Sequence, residues 1–132
     1  MKFLLDTDTC IYALKQEGPV LAALLAHRRE DVGISVLTEA ELRLGAAKSA
    51  TAVRTLRLLE NFLRPLGIVE FTSEDALSYA QVRAKLERAG TPIGPLDTLI
   101  AAQAVGRKLV LVSNNVREFK RVSGLRVENW SR

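Results

Sequence analysis

Near the start of the chain, Asp6-Thr7-Asp8 places an acid-x-acid pair directly after the apolar run Phe3-Leu4-Leu5. Two kinds of chemistry begin from such a pair. In one, the first aspartate is a covalent nucleophile for phosphoryl transfer. In the other, it is an oxygen ligand for a metal ion that assists cleavage of a phosphodiester. A structural role competes with both, because an aspartate that precedes a helix accepts a backbone N–H as its N-cap. Two further carboxylates raise the same choice. In "SVLTEAELRLGAA", Glu39 and Glu41 lie two residues apart, roughly 200° around a helix, so they cannot share a face. Glu41 falls between Leu37 and Leu44 and is expected to face inward, whereas Glu39 precedes Arg43 by one turn and suits a surface ion pair. Asp97 shares a helical face with Ile100, Ala101 and Ala104 and sits in a first turn, where the helix N-terminus also favours an acid.

The chain has one histidine, His27, and one cysteine, Cys10. A ribonuclease of the two-histidine kind needs a separate acid and base near neutral pH and is therefore excluded. Carboxylates without histidine or cysteine partners suit a hard, oxygen-loving ion, Mg²⁺ or Mn²⁺. Such an ion activates water and neutralises a phosphate during in-line displacement. His27, in "LLAHRRE", is expected at a helix end near solvent, and Cys10 as a small core residue on a helix.

The elements that must position these residues alternate. Phe3–Leu5 reads as a buried strand, followed by helices over 9–15 and 19–30, the second opened by Pro19. A short strand over 32–35 leads to helices over 37–47 and 50–65. A strand over 68–71 precedes a helix over 73–90, with Ser73 as cap and Gly90 as stop. After the loop 91–95 come a helix over 96–107, an apolar strand over 109–113, a short helix over 115–122 and an edge strand over 126–129. Asp8 is expected as the N-cap of the first helix, and Asn115 as N-cap of the last, with Glu118 as its capping-box partner. Short continuous apolar strands separated by helices imply an α/β fold whose parallel sheet is covered on both faces. In such folds working residues gather beyond the C-terminal ends of the strands. Asp6 closes the first strand and Ser113 the fourth, and a strand or loop leads into the helices of Glu41 and Asp97.

The 132 residues fit one domain, 1–132. No apolar run approaches the roughly 20 residues of a membrane span, and "MKFLLDTD" lacks the form of a signal peptide. A single cysteine suits a reducing cytoplasm. The formal net charge is +4, with 13 arginines and 6 lysines, which favours a polyanionic partner. The basic residues fall on helical stretches: Arg54, Arg57 and Arg64; Arg83, Lys85 and Arg88; Arg117, Lys120 and Arg121.

Four blocks, "FLLDTDTCIYALK", "ISVLTEAELRLGAA", "GTPIGPLDTLIAAQA" and "LVLVSNNVREFKRVSGLRVENW", resemble in order and spacing those of a PIN-domain ribonuclease of the VapC toxin type. The last two look most like the subgroup specific for initiator tRNA. The resemblance implies a three-layer α/β/α sandwich with a short, mainly parallel sheet of four to five strands. It implies Mg²⁺ or Mn²⁺ held by Asp6, Glu41 and Asp97, with Glu41 acting directly or through water. Asn115 stands where many relatives carry a fourth acid and would supply a neutral oxygen. Thr7 and Ser113 would hold water or phosphate nearby, and Glu118 would support the ligands from behind. Asp8 stands where asparagine is commoner and keeps at most a supporting role behind the ligands. The resemblance further implies RNA as substrate, a homodimer, and a VapB-like antitoxin that forms a heterotetramer or larger assembly and lays a basic side chain among the carboxylates.

Two other readings compete. A haloacid-dehalogenase-like phosphatase also opens on a strand and Asp-x-Asp. That family requires Thr or Val two residues after the second aspartate, where this chain has Cys10, and an acidic pair late in the chain that is missing here. It also leaves Glu41 and Asp97 without work. The other is a catalytically inactive PIN module that binds RNA or protein, against which the retention of all three carboxylates argues.

Overall fold

The computed structural model describes residues 1–132. In chain order the elements are β1 (Phe3–Leu5), α1 (Thr7–Leu14), α2 (Val20–Leu25), a 3-10 turn (Arg29–Asp31), β2 (Val32–Ser35), α3 (Val36–Ala47), α4 (Ala52–Leu63), β3 (Gly67–Val69), α5 (Ser73–Arg88), α6 (Pro95–Arg107), β4 (Val110–Val112), α7 (Val116–Phe119) and β5 (Val127–Glu128). The strands form one sheet in the order β3-β2-β1-β4-β5, and every pairing is parallel. β1 is central, with Leu5 opposite Ile34 on one side and Val112 on the other.

Successive strand residues point to opposite faces, and this divides the core in two. Leu4 and Leu111 join Leu86, Ile100, Ala101, Ala104 and Phe119 beneath α5, α6 and α7. Leu5 and Val112 join Cys10, Ile34, Leu42, Leu59 and Trp130 beneath α1, α3 and α4. Helices on both faces of a parallel sheet are the three-layer sandwich expected. No helix is long and apolar enough to cross a membrane.

Several boundaries differ from expectation, each for a local reason. α2 ends at Leu25, and His27 stacks on Trp130 with ring centroids 4.7 Å apart, exposed beyond the helix end. The cap of α5 is Thr72, one residue earlier than Ser73. Its hydroxyl accepts from the Asp75 backbone N–H while the Asp75 carboxylate accepts from Thr72 N, and this reciprocal pair outcompetes a serine without such a partner. Gly90 lies past the end of α5 with φ +71°, in the left-handed region where a side chain is strained. On α3 the buried stripe is Thr38, Leu42 and Ala46. Leu44 is exposed, so Glu41 flanks the core and is half-buried, not inward-facing. Glu39 pairs with Arg43 at 2.8 Å as expected, and Arg43 also reaches Glu60 on α4 at 2.6 Å.

α5 and α6 form a hairpin clasped at its open end. Asp75, almost fully buried, accepts from Arg107 Nη2 at 2.8 Å and from Gln103 at 3.4 Å, and Arg107 also bonds the Glu70 carbonyl. This clasp fixes the axis of α6, whose first turn carries Asp97.

Candidate active site

β1 stops at Leu5, and Asp6 stays extended (φ −81°, ψ 173°) before α1 begins at Thr7. The Asp6 carboxylate accepts from Thr9 N at 2.9 Å, so Asp6 is the N-cap and not Asp8. The strand ends one residue earlier than a cap at Asp8 requires, and Asp8 is left exposed in the first helical turn. Asp6 thus caps a helix and remains at the C-terminal edge of the sheet. Burial raises its carboxyl above the ordinary value, opposed by hydrogen bonds from Ser113 and Thr9 and reinforced by the charge of Asp8. Ser113 closes β4, is fully buried, and accepts from Asn115 N at 2.9 Å. The Thr9 hydroxyl bonds the Val112 carbonyl at 3.1 Å, which ties α1 to β4 behind the site.

Asp97 enters from the opposite side. Its helix has proline at the first position and a glycine cap, while Ile100, Ala101 and Ala104 bury the same face in the core. The Asp97 carboxyl is pushed up to about 6, first by burial, then by the charges of Asp6, Glu118, Glu41 and Asp8. These residues therefore share one electrostatic neighbourhood. Glu41 comes in from α3, where its Oε1 accepts from the Thr7 hydroxyl.

The last acid is the one the sequence assigned to a cap. Asn115 makes no side-chain cap, and its Nδ2 donates to Glu118 Oε2 at 2.9 Å. Since a carboxylate only accepts, this bond turns Asn115 Oδ1 away from Glu118. The charge of Glu118 acts on Asp97 from α7, a helix of four residues that starts soon after the end of β4. The spacing Asn115–Glu118 fits a capping box equally well, and Glu118, expected also behind the ligands, bears its charge on Asp97. Asn114, its neighbour, donates to the Tyr12 hydroxyl at 3.0 Å.

No cation balances this cluster. All five ion pairs lie elsewhere and none involves Asp6, Glu41, Asp97 or Glu118. An all-oxygen, uncompensated acidic set suits Mg²⁺ or Mn²⁺. As the side chains stand, no three of the carboxylates converge closely enough to hold one ion. The donor chemistry fits, and ligation needs the acids to draw closer together. Beside Glu41, a groove of about 420 Å³ runs between α1, α3 and α4, lined by Ile11, Leu14, Leu42, Leu58 and Leu59.

The chain is similar to known proteins over nearly its whole length. A family model of the PIN domain matches residues 3–125. The tRNA(fMet)-specific endonuclease VapC of Salmonella typhimurium is 40% identical over 130 residues, covering 98% of each chain. That of Shigella flexneri is 39% identical over 131 residues, covering 99% of each. A crystal structure of DNA-bound VapBC from Salmonella typhimurium superposes with a TM-score of 0.93 over 98% of each chain. Sequence and fold agree over nearly the whole length, and the chain belongs to the PIN-domain family, within its VapC group.

Proposed function

We propose that the chain is a metal-dependent endoribonuclease toxin. The observation that carries this reading is the uncompensated cluster of Asp6, Glu41, Asp97 and Glu118 at the C-terminal edge of the sheet. A divalent ion held by Asp6 and Asp97, with Glu41 and Glu118 directly or through water, would activate the attacking water and offset charge on the phosphodiester. Asp6 is locked by the Thr9 and Ser113 bonds, Asp97 by the packing of α6, and Asn115 leaves Oδ1 free to accept from water. Exposed Arg117, Lys120 and Arg121 flank this edge and would hold the RNA backbone. The phosphatase reading fails on geometry, since Asp6 is a buried cap and Asp8 stands apart in solvent.

The VapC relatives carry the finer parts of the reading. Those from Salmonella and Shigella are specific for tRNA(fMet), so a tRNA, initiator tRNA first, is the substrate proposed. Structural neighbours from Rickettsia felis and Salmonella are VapBC complexes bound to DNA. These neighbours support a VapB-like antitoxin as the partner proposed for this chain, and we propose with it a toxin homodimer and a cytoplasmic setting. The groove beside Glu41 has an apolar lining that suits the apolar face of an amphipathic antitoxin helix.

The deciding experiment incubates purified protein with tRNA, with and without Mg²⁺ or Mn²⁺, and maps the cut ends. Cleavage that needs the ion and disappears in Asp6→Asn is expected. Cleavage by Asp6→Asn at the wild-type rate, with contaminating nuclease excluded, overturns the assignment.

A further inference from the structure

Glu41 differs from the other acids in how it is held. Asp6 is fixed by capping and Asp97 by a short side chain on a buried face. Glu41 has the longest side chain of the three, flanks the core, and borders two environments, the catalytic edge and the apolar groove. Its only hydrogen bond is the one its Oε1 accepts from the Thr7 hydroxyl, across 34 positions of sequence. Thr7 is the first residue of α1 and follows the capping aspartate directly, so its position is set by the same turn that sets Asp6.

We propose that Thr7 is the positioning residue of Glu41: its hydroxyl occupies Oε1, turns the carboxylate from the groove to the catalytic edge, and leaves Oε2 as the oxygen presented to the cation. This inference rests on the metal-dependent reading above. Side chains that orient a ligating carboxylate through one of its oxygens preorganise it, and their loss loosens the metal by on the order of tenfold or more. Thr7 touches neither ion nor RNA in this role. It fixes the rotamer of a flexible acid.

The test compares Thr7→Val, which keeps the branched shape without the hydroxyl, with Thr7→Ser, which keeps the hydroxyl without the methyl. Mn²⁺ affinity is read by electron paramagnetic resonance in the absence of RNA. Thr7→Val should weaken Mn²⁺ binding on the order of tenfold and lower kcat more than it raises KM, and Thr7→Ser should restore both. Wild-type Mn²⁺ affinity in Thr7→Val, or a serine variant as weak as the valine one, overturns the proposal. A second measurement needs no metal: Tm values of Thr7→Val, Glu41→Met, which keeps the length of the side chain without an acceptor, and the double variant in chelator. Non-additive shifts are expected, and strictly additive ones overturn the Thr7–Glu41 link. A wild-type protein that binds no Mn²⁺ removes the metal reading itself, and the chelator cycle still decides on the link.

Discussion

Asp97 is held in conflict with its surroundings. An ordinary aspartate titrates near 3.8, whereas burial and four neighbouring acids push this one up to about 6. Between those values the folded protein keeps a proton that the unfolded chain has released. This group therefore favours the fold at low pH, and its contribution is lost as pH rises through about 6. Without metal, Asp97→Asn should melt several degrees higher than wild type at pH 7.5 while cleavage falls on the order of 10²–10³-fold. Scanning calorimetry in EDTA checks the first, and a variant no more stable than wild type would show that the acids do not repel. Glu118→Gln separates charge from geometry, because its amide oxygen can still accept from Asn115 Nδ2. Cleavage should fall about tenfold or more with Tm nearly unchanged, as measured on the same RNA. Among single residues, Asp6 and Asp97 were legible in the sequence because each follows a strand end or loop and is followed by a patterned helix. Glu41 was found for a partly mistaken reason, since the stripe that seemed to bury it is exposed at Leu44. Apolar spacing identifies a face but not how far that face reaches into the core.

At the scale of elements, the α5–α6 hairpin delivers Asp97 and its stability depends on Asp75. Burial works to raise the Asp75 carboxyl, but Arg107, the Thr72 backbone and Gln103 outweigh it and lower it to about 2. A depressed carboxylate contributes stability above its unfolded value, near 3.8, and that contribution is lost as pH falls from about 4 to about 2. Asp75→Ala strands Arg107 and the cap of α5, and should cost about 3 kcal/mol in chemical denaturation. The steepness of acid unfolding below pH 4 should diminish with it. Nothing in the local pattern marked Asp75 for this work, because its partner lies 32 residues ahead. Helix and strand existence, by contrast, came from periodicity and from Gly and Pro, and held throughout. Caps shifted by one or two residues, at Asp6 and Thr72, because a cap depends on where the preceding strand stops pairing and not on the cap residue alone.

The whole molecule carries net +4 with an acidic site at one sheet edge. On the proposed reading, RNA would be attracted by the basic helices and admitted to the carboxylates only with a counter-cation. Affinity for tRNA measured with Asp97→Asn should fall about tenfold or more between roughly 50 and 200 mM salt. Flat dependence would remove the basic helices from the interface. The parallel sheet and its layers were legible because fully apolar strands alternated with helices, while the strand order was not, since no local signal says which strands become neighbours.

That order has a consequence for synthesis. β1 comes before every other strand in chain order, yet its partner on one side is β4, with Phe3 opposite Val110 and Asp6 N bonded to the Val112 carbonyl. Ser113 and Glu118 lie later still. A growing chain therefore holds Asp6 for most of its translation without the strand that flanks it or the last acid that completes its cluster. The acidic edge is complete only after β4 and α7 have been made, so Asp6 waits on strands and acids more than a hundred residues behind it in synthesis.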